Sequence, residues 1–467
     1  MVDEITKYLL VIDIGKTHIK LHVLDGNLQS ILSKQTQNVV DTKGEYPSFN
    51  VTYIWNWLID GIKAVSEIYL ISSISITTHG ATAALINRHT ASNDGLVFPV
   101  LDYEYQGISS CNREYAALRP GFNETFSPDL PAGLNLGRQL FWLKSMFPKD
   151  FMNVSDIMMY PQYWGWRFTG KLYSEITSLG CHTDLWSTKN GEYSSLVDTL
   201  AIRNLLPPIK PAGFDCGVLL PELVEELKLS PDCRFFNGIH DSNASFLRYR
   251  LAQETSPFTV ISTGTWTILM ASKTPLDNLN PNKDMLANID AMGSPVACAR
   301  FMGGREFEFI CEQTGSTLEA SFDENDLQKV IDLNVFVIPG FTGGSGPFGD
   351  RKGQFIGDVG QVSGIALATL YCALMIDYQL EMLGAEGSIY IEGAFLKNDL
   401  LCAVLGQLRE PQQVLLSQDS TGTVKGVGYL TSRHNSECSI EVKGVNKTAL
   451  GALFEYQKKW LEYAVST

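Results

Sequence analysis

The sequence predicts an α/β protein built from two similar domains. With 467 residues, the chain is longer than a single hydrophobic core ordinarily supports. Two similar strand-turn-strand patterns each open one half of the chain, which indicates a duplicated domain. Strand and helix patterns alternate along the chain, and this alternation favours α/β layering.

The two strand-turn-strand patterns are predicted β-hairpins. In the first, a β-rich run at residues 8–12 leads into the polar turn DIGKT at residues 13–17, and alternating apolar and polar side chains follow. In the second, residues 258–261 form a strand, STGT at residues 262–265 forms the turn, and another apolar run completes the hairpin. We expect each hairpin to begin one of the two domains.

Further helices and strands are predicted in both halves. Apolar residues at helical spacing predict a helix over residues 55–69, and residues 74–76 are strand-like. The segment 121–137, rich in Pro, Gly and Asn, predicts a loop. A helix that is apolar around most of its circumference is predicted at residues 365–383, with a strand at residues 388–391.

A polar segment at residues 252–257 indicates where the two domains meet in sequence. We place the boundary near residue 250, so that the N-terminal domain covers residues 1–250 and the C-terminal domain residues 251–467. A cleft between two such domains is the usual place for a ligand.

Composition excludes several classes of protein. Hydrophobic residues make up 45% and charged residues 19%, which is a globular balance. A net charge of −15 without a basic run makes nucleic acid an unexpected partner. The N-terminal apolar stretch is too short for a signal peptide or a membrane span, so we expect a cytoplasmic protein. Nine cysteines lie singly, without a CxxC pair, as reduced thiols do.

The first turn carries the groups that phosphoryl transfer requires. That reaction needs fixed donors for phosphate oxygens and a carboxylate for Mg²⁺. Gly15 lets the backbone approach a phosphate, and Thr17 offers a hydroxyl and an amide. Lys16 or Lys20 supplies positive charge, and Asp13 is suited to hold Mg²⁺ through waters.

The second turn offers Gly264 and Thr265 as donors but contains no carboxylate. Either turn alone is also explained as an ordinary hairpin whose glycine needs a positive φ. Their pairing favours the phosphate interpretation. Neither turn matches GxxxxGK[ST] or GxGxxG, so P-loop and Rossmann folds lose their main support.

A carboxylate follows a short apolar run in the segment FFNGIHDSNAS at residues 235–245. Asp241 is a candidate catalytic base that would accept the proton of a substrate hydroxyl. It is equally suited to cap a helix, because Asp before Ser-Asn-Ala is typical of a helix start. Both interpretations stay open on the residues alone. His240 is expected to be satisfied by local hydrogen bonds.

Five segments occur in a set order along the chain: DIGKT, GIHD at residues 238–241, STGT, the glycine-rich PGFTGGSGP at residues 339–347, and IEGAFLKN at residues 391–398. In this order they resemble the FGGY family of carbohydrate kinases, and the resemblance spans nearly the whole chain. It implies the actin-like, ribonuclease-H-like fold, in which two α/β domains flank a deep cleft and bind ATP, Mg²⁺ and a sugar.

The resemblance also implies roles for individual residues. Asp241 falls on the position of the catalytic base, where it also contacts the sugar, and Asp13 on that of the Mg²⁺-associated carboxylate. Glu392 stands where the family usually has the first of two glycines. The residues implied to bind the nucleotide are Gly15, Lys16, Thr17, Gly264, Thr265, Gly344, Gly393, Ala394, Lys397 and Asn398.

Two more segments occupy the places of the family's substrate loops. The first is TTHGAT at residues 77–82, where the resemblance implies that His79 and Gly80 contact the sugar. A structural hydrogen bond at a strand end explains His79 equally well.

The second substrate loop is PVLDYE at residues 99–104. Tyr103 fits the family's aromatic position, whereas Tyr105 takes the position that is usually acidic. Asp102 or Glu104 would therefore hold the sugar hydroxyls instead.

The predicted function is ATP-dependent phosphorylation of a sugar hydroxyl, with a ketose as the preferred acceptor and Asp241 as general base. A polyol or a sugar acid is an alternative acceptor. A non-catalytic actin-like nucleotide switch is a different class of function, and Asp241 discriminates, because a switch needs no base that faces a sugar. The oligomeric state, a homodimer included, stays open.

Overall fold

The computed structural model describes residues 6–90, 92, 94–253, 255–349, 351–419, 421–431, 438 and 440–466. The chain forms two compact units. Unit 1 comprises Met1–Ala252, Ala287–Pro295 and Thr421–Ser439, and unit 2 comprises Gln253–Leu286, Val296–Ser420 and Ile440–Thr467. Two later segments thus join the first unit, which a single division near residue 250 does not provide for.

Unit 1 contains a six-stranded sheet. In spatial order its strands are Asp215–Val218, Arg234–His240, Ile71–Thr78, Tyr8–Ile14, His18–Leu24 and Ser30–Gln37. Tyr8–Ile14 pairs antiparallel with His18–Leu24 and parallel with Ile71–Thr78. Six of its seven residues are buried, as expected for a central strand covered on both faces. The predicted first hairpin and the strand at residues 74–76 are confirmed.

Unit 2 contains a sheet in which six consecutive neighbours are Pro295–Phe301, Thr267–Ser272, Phe258–Thr263, Ser388–Gly393, Val414–Ser417 and Val442–Gly444. Phe258–Thr263 pairs antiparallel with Thr267–Ser272, so the predicted second hairpin is confirmed. It pairs parallel with Ser388–Gly393, which confirms the strand predicted at residues 388–391. Each unit therefore has its own central antiparallel hairpin, and in both the first strand of the hairpin has a parallel neighbour.

The two predicted helices are confirmed with shifted ends. The first is Val51–Ser66, which begins earlier than predicted because the Asn50 side chain accepts a hydrogen bond from the Tyr53 amide. The second is Gly364–Leu383, which Ser363 caps at its start. Its length and composition would suffice to cross a membrane, but 83% of its apolar window is buried inside the protein. It is the core helix of unit 2.

The predicted loop at residues 121–137 holds one short helix, Phe122–Thr125, and the helix Leu136–Met146 begins near its end. The other helices are Asn112–Ala116, Pro148–Phe151, Tyr160–Thr169, Ile176–Leu179, Ser195–Thr199, Pro221–Glu226, Asp241–Ala252, Gly303–Gln313, Glu324–Asp332, Asp399–Leu408, Gly422–Thr431 and Leu453–Ser466. The other strands are Val40–Asp41, Ser48–Phe49, Ala83–Ile86, Asp156–Met159, Trp186–Ser187, Glu192–Tyr193, Met285–Ile289, Phe336–Ile338 and Gln354–Ile356.

The late helix Gly422–Thr431 belongs to unit 1 because it packs closely on the helix Asp241–Ala252. A Cβ atom added at Gly426 would lie 1.8 Å from the carbonyl oxygen of Ala244. Only a glycine permits this approach, which brings the helix that follows Asp241 against a segment far along the chain.

Candidate active site

Asp13 is the last residue but one of the first strand and is paired across the hairpin with Lys20. The Lys20 Nζ atom lies 3.5 Å from Asp13 Oδ2, and 13% of the Asp13 side chain is exposed. Burial raises the pKa of the Asp13 carboxyl to about 6, with Lys20 opposing the shift and Asp241 adding to it. Asp13 therefore lies within electrostatic reach of the second predicted carboxylate.

The turn after Asp13 is held in place by backbone contacts. The Gly15 amide donates to the His18 carbonyl at 2.9 Å, and the Asn38 side-chain amide donates to the Gly15 carbonyl at 2.8 Å. The Asn38 amide also donates to the Thr17 carbonyl, and Thr17 itself is exposed. Gly15 does not have a positive φ, so a left-handed backbone conformation does not explain this glycine. Sequence reasoning missed Asn38, which lacks any local signal.

Lys16 extends its side chain away from the turn. Its ammonium donates to Asp102 Oδ1 and lies 3.3 Å from Glu104 Oε2. It also lies 4.8 Å from the ring centroid of Tyr103 and 5.1 Å from that of Phe49. Its charge is thus placed in the second predicted substrate loop, and the predicted phosphate contact of Lys16 stays a prediction.

His79 follows the strand Ile71–Thr78 and is 5% exposed. Its Nδ1 atom lies 3.1 Å from the Gly80 carbonyl oxygen, to which it can only donate, so Nε2 carries the lone pair. Within the described residues, Nε2 has no hydrogen-bond partner. Burial lowers the pKa of His79 to about 4, so the imidazole is neutral at physiological pH. This nitrogen is available to accept a hydrogen bond from a ligand hydroxyl.

Aromatic rings surround His79. Its ring centroid lies 4.8 Å from that of Phe49, 5.5 Å from that of Tyr103 and 5.2 Å from that of Tyr160. Burial raises the pKa of Tyr103, and the charges of Glu104, Asp241 and Asp102 add to this effect. The residues of both predicted substrate loops therefore converge on one part of unit 1.

Asp241 is the first residue of the helix Asp241–Ala252, directly after the strand Arg234–His240. Its Oδ1 atom accepts from the Ser242 amide at 2.6 Å and from the Ser242 hydroxyl at 3.3 Å. A capping side chain normally accepts from an amide two or three residues on, so this is not ordinary capping geometry. One third of the side chain, 34%, is exposed. Burial raises the pKa of Asp241, and nearby His79 opposes the shift.

His240 packs beside the candidate base. Its Nε2 atom lies 3.2 Å from Asp241 Oδ1, and its Nδ1 atom lies 3.3 Å from the Asn243 side-chain amide. Burial lowers the pKa of His240 to about 4. A Cβ atom at Gly80 would come within 2.7 Å of His240 Nε2, so Gly80 is small because His240 lies against it. The expected local hydrogen bond of His240 is confirmed.

In unit 2, the STGT turn adjoins the segment at residues 391–398. The Thr263 hydroxyl donates to the Glu392 carbonyl at 2.6 Å and accepts from the Phe395 amide at 2.9 Å. Gly393 has a φ of 90°, and a Cβ atom there would lie 2.0 Å from the Thr263 carbonyl oxygen. Gly264, Thr265, Gly393 and Ala394 are thereby brought together, and Thr265, Gly393 and Ala394 are exposed.

Beyond Ala394, Lys397 is exposed, whereas Asn398 is occupied by its own helix. Asn398 Oδ1 accepts from the Leu401 amide at 2.9 Å, which caps the helix Asp399–Leu408. Its side-chain amide donates to the Thr369 hydroxyl. The side chain of Asn398 therefore orders this segment, and its predicted nucleotide contact stays a prediction.

The glycine-rich loop is anchored by two buried carboxylates that sequence reasoning missed. Glu306 accepts from the Thr342 hydroxyl at 2.8 Å and from the Tyr371 hydroxyl at 2.6 Å. Asp284 accepts from the Gly346 amide at 3.0 Å. Gly344 is exposed with a φ of 73°, and a Cβ atom there would meet nothing within 4 Å. The anchored loop thus presents open backbone at the position predicted to bind the nucleotide.

Comparison with known proteins shows the family and the fold. Residues 8–247 match the N-terminal domain of the FGGY family of carbohydrate kinases, and residues 255–438 match the carbohydrate kinase FGGY C-terminal domain. Among curated proteins, the chain is 24% identical over 281 residues to the probable L-xylulose kinase of Pasteurella multocida, covering 56% of this chain and 55% of that protein. It is 24% identical over 290 residues to the L-fuculokinase of Salmonella typhi, covering 58% and 57%. These matches span little more than half of each curated relative.

Solved structures resemble the whole chain. A carbohydrate kinase from Novosphingobium aromaticivorans superimposes with a TM-score of 0.89 at 31% identity, covering 99% of both chains. A xylulose kinase from Lactobacillus acidophilus has a TM-score of 0.80 at 17% identity, covering 98% of this chain and 97% of that one. The expected actin-like fold of two α/β domains is confirmed. This chain belongs to the FGGY family of carbohydrate kinases.

Proposed function

We propose that this protein phosphorylates a hydroxyl of a sugar with ATP, with a ketose as the preferred acceptor. The observation that carries the proposal is the pair formed by Asp241 and His79 in unit 1. Asp241 is a partly exposed carboxylate with a raised pKa, and His79 is a neutral imidazole whose Nε2 atom has no partner among the described residues. The relatives named L-xylulose kinase and L-fuculokinase support a sugar as acceptor.

Asp241 acts as the general base in this proposal. The acceptor oxygen forms a bond to the γ-phosphorus while the bond from phosphorus to the ADP oxygen breaks, and the hydroxyl proton passes to the Asp241 carboxylate. Burial raises the pKa of the Asp241 carboxyl, which makes this carboxylate a better base than an ordinary aspartate. In this proposal the Nε2 atom of His79 accepts a hydrogen bond from another hydroxyl of the sugar and so orients the sugar.

Asp13 fits the role of a Mg²⁺ carboxylate. Its charge is buried and only partly balanced by Lys20, and burial raises its pKa, so a bound cation would stabilise the charge. Within the described residues, no group of three or more His, Cys, Asp or Glu side chains could hold a metal alone. This suits Mg²⁺, which commonly takes one or two carboxylates together with waters and substrate phosphates. When bound, Mg²⁺ neutralises charge on the transferring phosphate.

The nucleotide is proposed to bind residues of unit 2. Gly264, Thr265 and Gly344 offer exposed or open backbone for phosphates. Gly393 and Ala394 are proposed to contact the adenosine, with Lys397 and Asn398 nearby. ATP is the proposed donor.

The cytoplasm is the proposed compartment. All nine cysteines lie in the described part of the chain and none is joined in a disulfide, which suits a reducing environment. A small-molecule sugar is the proposed partner.

A screen of acceptors tests the proposed function. With ATP and Mg²⁺, we expect ADP to form in equal amount with a phosphorylated product for at least one ketose, and little ADP without an acceptor. Product formation would be followed by mass spectrometry across ketoses, polyols and sugar acids. ATP binding without any phosphorylated acceptor would contradict the proposal and favour a nucleotide switch.

His79→Phe tests the sugar contact. Phenylalanine keeps a ring among Phe49, Tyr103 and Tyr160 but removes both ring nitrogens. The proposed hydrogen bond of Nε2 to the acceptor is lost, together with that of Nδ1 to the Gly80 carbonyl. We expect the KM for the sugar to rise about tenfold and the KM for ATP to change less than about twofold. Steady-state kinetics with each substrate varied would measure both. An unchanged sugar KM would mean that His79 has only a structural role.

A further inference from the structure

We propose that Lys16 is a specificity-determining residue of the acceptor site. Asp102 and Glu104 hold its ammonium, and through this arrangement the site takes an uncharged sugar and rejects sugar acids. The inference rests on the proposed function and adds a substrate class to it.

Lys16 belongs to the acceptor site by position. Its ammonium lies over the ring of Tyr103 and near that of Phe49, and both rings pack against His79. The positive charge of Lys16 also lowers the pKa of His79. The Lys16 ammonium and the His79 imidazole therefore contact the same aromatic ring, that of Tyr103.

Asp102 and Glu104 form ion pairs with the Lys16 ammonium. The ammonium donates to Asp102 Oδ1 and lies 3.3 Å from Glu104 Oε2. The Lys16 and Asp102 side chains are only 21% and 10% exposed, so water screens their attraction weakly. Asp102 Oδ1 also accepts from the Glu104 amide, which fixes the loop around the pair. Two carboxylates therefore neutralise one ammonium.

The charges around the site disfavour an anionic acceptor. Asp13 is paired with Lys20 and is the proposed Mg²⁺ carboxylate, so a bound cation would compensate its charge. The other carboxylates are Asp102, Glu104 and Asp241, and the Lys16 ammonium contacts Asp102 and Glu104. Because that ammonium is engaged, the carboxylate of a sugar acid would meet excess negative charge. Uncharged hydroxyls meet no such repulsion, because Asp241 and His79 accept hydrogen bonds from them.

Releasing Lys16 should weaken this preference. In the double variant Asp102→Asn with Glu104→Gln, both side chains keep their shape, and the new amide at position 102 keeps an oxygen for the loop N–H, but the ammonium loses its counter-charges. A carboxylate on the acceptor can then pair with Lys16. Loss of contacts to sugar hydroxyls would lower activity on every acceptor, so a rise on the acid alone reports the change in charge. Adding Lys16→Met then separates the released ammonium from the loss of the two carboxylates.

The experiment compares uncharged sugars with aldonates of the same carbon number, using the full chain, ATP and Mg²⁺. For the parent, we expect kcat/KM to favour the uncharged acceptor by about 100-fold or more. In the double variant, we expect kcat/KM for the aldonate itself to rise by about tenfold. Adding Lys16→Met to the double variant should remove the gain. The Glu104 side chain is 65% exposed, so Glu104→Gln alone carries little risk to folding. It should raise kcat/KM for the aldonate about threefold.

The exposed pair of Lys228 and Glu67 provides a matched control in the same unit, with Nζ and Oε1 at 2.6 Å. Lys228→Met should change the ratio of the two kcat/KM values by less than about twofold. A parent that prefers an aldonate, or folded variants whose aldonate kcat/KM does not rise, would overturn the role of Lys16. A parent that phosphorylates no acceptor would instead overturn the proposed function on which this role rests.

Discussion

Asp241→Asn is expected to lower kcat for sugar phosphorylation by about 10²- to 10⁴-fold, which is the usual contribution of a general base. The amide keeps the shape of the carboxylate and an oxygen that can accept from Ser242, but it cannot take the hydroxyl proton. Affinities for ATP and for sugar should therefore stay within about threefold of the parent. Calorimetry would measure binding, and product formation under the same conditions would measure turnover.

The pH dependence of the parent should agree with this role. Because burial raises the pKa of Asp241, the carboxylate becomes protonated at a higher pH than an ordinary aspartate. Protonated Asp241 cannot act as a base, so kcat/KM for the sugar should fall as the pH is lowered through this raised pKa. The residual activity of Asp241→Asn should lack this titration.

Asp198→Asn is a matched control for the same chemical change. Asp198 lies in the same unit, but its side chain is 64% exposed and pairs with Arg203 at the surface. Its activity should differ from that of the parent by less than about twofold. Phosphorylation at the parental rate by Asp241→Asn would show that Asp241 only starts its helix.

Asp13→Asn is expected to lower turnover by about 10²-fold or more, because Mg²⁺ charge stabilisation is worth several kcal/mol in the transition state. The same substitution should stabilise the unliganded fold. In the folded protein the pKa of Asp13 is raised from 3.8 to about 6, so the folded state binds this proton more tightly than the unfolded state. The proton bound to Asp13 therefore stabilises the folded parent below about pH 4, and this stabilisation is lost as the pH rises through about 6.

At neutral pH the parent therefore carries a buried charge that asparagine lacks. We expect the free energy of unfolding of Asp13→Asn to exceed that of the parent by about 1–3 kcal/mol near pH 7 without metal, and the difference to vanish near pH 4. Urea titrations at both pH values would measure it, and Asp198→Asn serves again as control. Equal turnover by a folded Asp13→Asn protein would remove Asp13 from the active site. Equal free energies of unfolding for Asp13→Asn and the parent at both pH values would mean that burial does not destabilise the Asp13 charge.

Local patterns in the sequence determine the frame of this protein. Alternating and continuous apolar runs specify the two hairpins, because strand pairing across a short turn depends on neighbouring residues. The continuous apolar surface of Gly364–Leu383 specifies a core helix for the same reason. The order of the short polar segments was enough to predict Asp13 and Asp241 as candidate site residues. Each of these features lies within a few consecutive residues.

Only the tertiary structure decided how the side chains are paired. Lys16 meets Asp102 across 86 positions of sequence, and the open Nε2 atom of His79 depends on rings from three separate segments. The helix Gly422–Thr431 joins unit 1 because Gly426 fits against Ala244. No periodicity encodes such contacts, because a salt bridge or a close backbone approach depends on where distant segments pack. The sequence therefore determined which chemical groups are present, whereas packing decided which of them meet and which ammonium is already occupied.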